Sequence, residues 1–196
     1  MFRIFRTFCL SALLLFALPA VLRGQVASGS GDAAFTFGYT HVKGVTSSSH
    51  YVLGGSGAFN FSHYVAAGFE YTYTPLGSET LSIITDSGNQ RTYGGFGRFS
   101  LVAPGRITPY LLAGGGAVNE KEVFATNIFI TTASQSGYYY ALGAGASIFG
   151  GRHWGVRPEL RYEHQQFGAN NRLNLNAFGQ NDIQLTVQLF YQGGGK

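Results

Sequence analysis

The sequence predicts an all-β protein, an eight-stranded antiparallel up-and-down transmembrane β-barrel. Three observations carry this expectation. Eight segments alternate polar and apolar residues with period two, the mark of a strand with two unlike faces. Short and longer connections alternate between them. Charges within the segments share one face, whereas aromatic residues collect near both ends of the other. No helical run of period 3.6 stands out.

The first thirty or so of the 196 residues stand apart from this pattern. MFRIFRTF carries two arginines, and an apolar run, CLSALLLFALPAVL, follows it before small and polar residues begin. A positive start, a core too short to span a bilayer and a small-residue zone read as a secretory signal peptide, residues 1–27, with cleavage after Gly24 or Ala27. Its loss takes Cys9, the chain's one cysteine, and with it any disulfide, cysteine ligand or cysteine nucleophile. Arg3, Arg6 and Arg23 go too, leaving ten basic residues against nine acidic ones, so the net charge falls from +4 to +1. No basic patch remains that would argue for nucleic acid. The barrel is expected over 28–191, with a short tail at 192–196.

The eight strands are expected near 33–42, 50–61, 63–74, 91–103, 107–118, 137–149, 153–166 and 181–191. SH (62–63), APGR (103–106) and GGRH (150–153) read as short turns. KGVTSSS (43–49), PLGSETLSIITDSGNQ (75–90), NEKEVFATNIFITTASQS (119–136) and QFGANNRLNLNAFGQ (166–180) read as longer loops at the opposite end. One face of the strands is apolar throughout. Near its long-loop end stand Tyr39, Tyr51, Tyr71, Tyr73, Tyr93, Tyr138, Tyr140 and Tyr162; near its short-turn end stand Phe35, Phe61, Phe99, Trp154 and Tyr191. The other face carries small residues, hydroxyls and every charge within the strands: Glu70, Arg98, the ladder Arg157, Glu159, Arg161, Glu163, and Asp182.

A soluble lipocalin-like barrel would turn the apolar face inward, and a transmembrane barrel turns it out to lipid. Glycine crowds the charged face, which suits the tight interior of eight strands. Two aromatic girdles suit the headgroup level of a bilayer. Segments of about ten residues match a tilted strand crossing the hydrocarbon. The transmembrane arrangement is therefore expected, with the seven charged residues forming a paired network that fills the lumen, because buried charge is tolerated where the signs interleave. A narrow ion path is the functional alternative for the same residues.

The stretches VAAGFEYTY, RITPYLLAGGGAV, WGVRPELRYEH and IQLTVQLFY together resemble the small eight-stranded outer-membrane barrels of Gram-negative bacteria, the OmpA/OmpX-like group of outer-membrane β-barrel domains. IQLTVQLFY resembles the C-terminal assembly signal of that group, with apolar residues at 183, 185, 187 and 189 and an aromatic at Tyr191; QGGGK after it is a departure. The resemblance implies a monomer in the outer membrane, surrounded by its lipid and lipopolysaccharide and inserted by the barrel-assembly machinery. With five residues after Tyr191, the periplasmic peptidoglycan-binding domain of some relatives is not expected. The implied role is structural, adhesive or surface-interacting, without catalysis or cofactor; a narrow channel is the alternative, and a lipid A-modifying enzyme a further one.

Three features need separate treatment. Histidines 41, 50, 63, 153 and 164 show no metal-ligand spacing, so no metal site is expected. Asp86-Ser87, His41, His50 and Glu163-His164 share the long-loop end, where a Ser/His/acid set is conceivable, yet His164 is followed by Gln-Gln-Phe rather than the deacylase pattern. VFATNIFITT within 119–136 either extends strands five and six as a protruding hairpin whose edge receives a surface partner, or folds back over the barrel mouth. Pro158, inside a strand, forfeits a ladder bond and calls for a bulge or an unpaired carbonyl beside it.

Overall fold

The computed structural model describes residues 26–43, 47–81, 84–102, 105–126, 130–169 and 176–194. They form β1 (Ser30–Lys43), β2 (Ser47–Asn60), β3 (Val65–Leu81), β4 (Ile84–Ser100), β5 (Ile107–Thr126), β6 (Ile130–Phe149), β7 (Trp154–Phe167) and β8 (Phe178–Gly194). Each strand pairs antiparallel with the next, and β8 closes on β1. Closure satisfies the backbone without an edge across the barrel wall, which a strand fold needs in lipid. Positions 1–25, most of the expected signal peptide, lie outside the described residues.

The register fixes the shape. Stepping between partners from Ala33 leads through Gly57, Phe69, Gly95, Gly115, Tyr140, His164 and Asn181 to Lys43. One circuit thus climbs ten residues along β1. With eight strands this stagger tilts them by about 40° and gives a backbone radius of roughly 8 Å, an interior that side chains can fill.

The alternation reads inside-out relative to a soluble barrel. Leu185, Tyr51 and Phe61 are 62%, 70% and 61% exposed, whereas Arg157, Glu159, Glu163 and Asp182 are at most 2% exposed. Val156, Leu160 and Tyr162 of the β7 ladder face outward. An apolar exterior of this extent has lipid as its natural solvent.

Three differences from the sequence expectation concern strand ends. The segments 75–90 and 119–136, expected as loops, are mostly strand: β3 and β4 pair up to Leu81↔Ile84, β4 and β5 up to Ile84↔Thr126, and β5 and β6 up to Ala125↔Ile130. Within VFATNIFITT, residues 123–126 and 130–132 therefore extend β5 and β6 as a hairpin, with 127–129 outside the described residues. Pairing of β2 with β3 stops at Leu53↔Tyr73, and β6 meets β7 only from Gly137↔Phe167. A four-stranded sheet thus projects about eight residues, roughly 26 Å of strand, beyond that level. Its β3 edge carries a register shift between Pro75 and Gly77, a bulge plus a proline that blunt an open edge. At the other end β8 runs to Gly194, so Gln192 to Gly194, expected in a tail, continue the ladder opposite Asp32 to Ser30. β1 likewise starts at Ser30 and admits Asp32 to the wall.

Pro158 is accommodated without a bulge. Pairing of β6 with β7 runs to Gly145↔Glu159 and resumes in the same register at Ile148↔Val156, while Pro158 stays paired with Val187 of β8. The ladder has a local gap on the β6 side, and there Arg157 Nε donates to Ser147 Oγ at 3.0 Å.

Candidate functional site

The lumen is built in layers by inward positions of all eight strands. At the short-turn end Val26, Phe149 and Phe190 form an apolar floor, the two rings edge to face at 5.1 Å. Arg157 lies on this floor with its guanidinium 3.9 Å from the Phe190 centroid. It grips Asp32 with two nitrogens, Nη1 to Oδ1 at 2.9 Å and Nη2 to Oδ2 at 3.0 Å, while Arg98 Nη2 reaches Oδ2 at 2.7 Å. One carboxylate thus bridges two guanidiniums, and Asp32 was missing from the expected network. Its signal was hidden because SGSGD reads as a polar lead-in, and the strand was expected to begin one residue later.

The next layer is held by tyrosines. Tyr110 Oη donates to Glu159 Oε2 at 2.9 Å, and Arg98 sits 5.5 Å from the Tyr110 ring centroid. Above it Arg161 makes a bidentate pair with Glu70, Nη1 to Oε1 at 2.6 Å and Nη2 to Oε2 at 3.0 Å, and also reaches Glu159 Oε1 at 2.7 Å. Tyr139 Oη donates to Glu70 Oε1 at 3.2 Å. Glycine makes these rings fit: a Cβ on Gly145 would stand 2.7 Å from Tyr110 Oη, and one on Gly94 2.6 Å from Tyr139 Oη.

The top layer differs. Glu163 and Asp182 are register partners on β7 and β8. Gln165 Nε2 donates to both, at 2.7 Å to Glu163 and 2.9 Å to Asp182, but no guanidinium bonds either carboxylate among the described residues. Gln165 in turn accepts from Gln90 and from Gln180. All seven residues expected in the lumen network are buried there. Five of them, with Asp32, form two ion-paired groups: Arg98 and Arg157 on Asp32, and Glu70, Arg161 and Glu159 together. The void beside Arg161, bounded by Thr36, Val52, Glu70, Gln184 and Thr186, measures about 10 Å³, room for a single water.

The outer face carries the aromatic residues. Of the thirteen expected there, Tyr73 is half-buried and the others are exposed. Tyr39 meets Tyr51 edge to face at 5.9 Å in the upper girdle, and Trp154 meets Tyr191 at 5.0 Å in the lower. Above the upper girdle β5 reads Asn119, Glu120, Lys121, Glu122. Both carboxylates share the inward face with the buried Val118. Burial, with Glu122 beside it, pushes the Glu120 carboxyl up to about 7.

The Ser/His/acid set does not assemble from register partners. Ser87 lies opposite Ser78 and Val123, His41 opposite Ser49 and Ile183, and His164 opposite Tyr140 and Asn181. His41 Nδ1 is within 2.8 Å of Ser49 Oγ, and His164 Nδ1 within 2.7 Å of Asn181 Oδ1. Among the described residues no group of three His, Cys, Asp or Glu side chains is placed to hold a metal.

No family model matches the chain. No curated protein matches it either. Solved structures do. The attachment invasion locus protein Ail of Yersinia pestis superposes with a TM-score of 0.58 at 14% identity, covering 85% of this chain and 99% of that one. Neisserial surface protein A gives 0.62 at 12% identity, over 85% and 98%. A major outer membrane protein from Thermus thermophilus gives 0.57 at 8% identity, over 83% and 99%. The chain has the fold of a small outer-membrane β-barrel. At these identities the likeness lies in the closed antiparallel barrel itself.

Proposed function

We propose that this protein is an outer-membrane barrel with a surface-interaction or adhesive role and no catalytic one, its lumen a structural plug and its working surface the sheet that β3 to β6 hold above the membrane. It is exported with a cleaved signal peptide, inserted by the barrel-assembly machinery and stands as a monomer among outer-membrane lipid and lipopolysaccharide. The observation that carries the reading is a contrast. Four strands run about eight residues past the wall, while the lumen beneath them is crossed by buried, ion-paired side chains, with a void of about 10 Å³ beside Arg161. A pore needs the opposite investment. Segment 119–136 supplies the β5–β6 arm, where a partner strand can add to a backbone edge. A neighbour of the same fold is named for attachment and invasion.

Planar-bilayer recording on the purified barrel tests the plug, with no discrete conductance steps expected; regular steps would replace this reading with a channel. Deleting 122–132 tests the surface role. A variant that keeps its heat-modifiable mobility but loses cell adhesion supports it, and unaltered adhesion removes it.

A further inference from the structure

The strands sort charge by face. Among the described side chains every strand carboxylate turns inward, whereas Lys43, Arg91 and Lys121 turn outward above the upper girdle, so Arg91, the first residue of segment 91–103, departs from the expectation that strand charges share the inner face. Arg91 and Lys121 sit together. Lys121 is the register partner of Asn89 and Arg91 that of Asn119, so the two cations are diagonal neighbours across β4 and β5. Neither has an ion-pair partner among the described residues. They border a concavity of about 400 Å³ that opens sideways on the outer face. Its lower rim is Tyr71 and Tyr93 of the girdle; Glu120 also borders it, from the inward side of β5.

Part of the rim is held in place. Asn119 Nδ2 donates to Tyr93 Oη at 3.0 Å, and Ser136 Oγ donates to Asn119 Oδ1 at 2.6 Å. We propose that this concavity binds the phosphate of an anionic lipid headgroup in the outer leaflet. The inference rests on the outer-membrane reading above and extends it. Tyrosine rings mark the headgroup level of a bilayer, so a site immediately above them on the lipid side meets headgroups first. Headgroup phosphate is the anion present at that depth. A guanidinium and an ammonium about one side-chain diagonal apart supply charge-assisted donors to a single phosphate. The volume suits a headgroup rather than a bare ion. Glu120 borders the concavity from the inward face of β5, while the two cations, Arg91 and Lys121, stand on its lipid side.

The test uses the full barrel in phosphatidylcholine vesicles, with and without added phosphatidic acid, and counts lipid that stays bound on release into native mass spectrometry. The wild type is expected to retain phosphatidic acid. R91Q/K121Q, whose side chains are exposed, is expected to embed normally and to retain it roughly thirtyfold less, from two cations at a membrane surface. K43Q removes an outward cation at the end of β1, outside the concavity, and is expected to change nothing. Excess inorganic phosphate is expected to leave the lipid in place. Equal retention by wild type and R91Q/K121Q overturns the site, and so does an equal loss in K43Q, which would mean diffuse charge alone. Displacement by inorganic phosphate overturns the lipid assignment in favour of a soluble anion. A wild type that fails to embed removes the outer-membrane reading and this site with it, whereas embedding with equal retention removes this site alone.

Discussion

Removing Asp32 is the sharpest way to ask whether the lumen is an ion-paired plug. Its two oxygens accept three guanidinium bonds between 2.7 and 3.0 Å, two from Arg157 and one from Arg98. Arg157 is 1% exposed and Arg98 7%, so neither can turn to water when the carboxylate goes. Breaking a buried pair by deleting one partner costs about 3–5 kcal/mol, because the remaining charge stays desolvated. Here two guanidiniums would be stranded facing each other. At about 2–4 °C per kcal/mol for a chain of this size, Asp32→Ala should lower the Tm by roughly 6–20 °C. The readout is the temperature at which the heat-modifiable gel shift is lost, on protein refolded from urea into detergent so that assembly in the cell is not limiting. Asp32→Asn, which keeps the shape and one acceptor, should fall between. A Tm for Asp32→Ala within about 2 °C of wild type, less than 1 kcal/mol on the same scale, would refute the plug as a source of stability.

The opposite sign is expected at the top layer. Five carboxylates and three arginines are buried inward among the described residues, and the two without a guanidinium bond are Glu163 and Asp182. Glu163→Gln and Asp182→Asn should leave the same Tm unchanged or raise it, and a fall comparable to that of Asp32→Ala would contradict the pairing argument. Gly94→Ala should destabilise, since its Cβ meets both the Tyr139 hydroxyl and backbone of β5; urea midpoints of Gly94→Ala with and without Tyr139→Phe would separate the two collisions. Glu120 gives a pH dependence. Its carboxyl lies at about 7 in the fold against an ordinary 4.5, so the folded state binds the extra proton and stability falls as pH rises from about 4.5 to about 7. Protection factors of the β4–β6 amides, that is, exchange divided by its intrinsic base-catalysed rate at each pH, should fall across that window in wild type and stay flat in Glu120→Gln. The mature N-terminus should be Gln25 rather than Ser28, because Val26 packs into the Phe149–Phe190 floor and its carbonyl bonds His63 Nδ1 at 2.9 Å; intact mass of exported protein decides it.

The barrel wall was legible in the sequence because lipid imposes a two-sided environment. Within the bilayer each residue faces either hydrocarbon or lumen, so period two survives in segments such as VRPELRYEH and IQLTVQLFY. Above the bilayer both faces of a strand meet water and the constraint lapses. ETLSIITDSGNQ therefore reads as a loop although most of it pairs in register, and only the hairpin context reveals the sheet. Asp32 escaped for a related reason: at the wall's lower margin GD looks like a turn. The direction of Phe96 and Tyr110 was readable, since they share a face with Gly94 and Gly114, but their partners were not. Which carboxylate meets which guanidinium depends on the ten-residue stagger of the closed barrel, and no single strand encodes that.

The same alternation that packs the lumen also shapes the lipid face. In NEKE the strand period sends Glu120 and Glu122 inward and Asn119 and Lys121 outward. A one-residue slip of β5 would exchange the sets, placing two carboxylates against headgroups and a lysine in the mouth of the lumen. The register of this segment is therefore held from two sides. Inside, Val118 packs just below the mouth; outside, Asn119 is tied to Tyr93 and Ser136. Substituting Asn119 with Ala removes the outer tie alone. If the inner packing suffices, Lys121 stays outward and lipid retention falls only modestly. If the tie sets the register, retention falls as far as in R91Q/K121Q, and the exchange rates of the β5 amides rise with it.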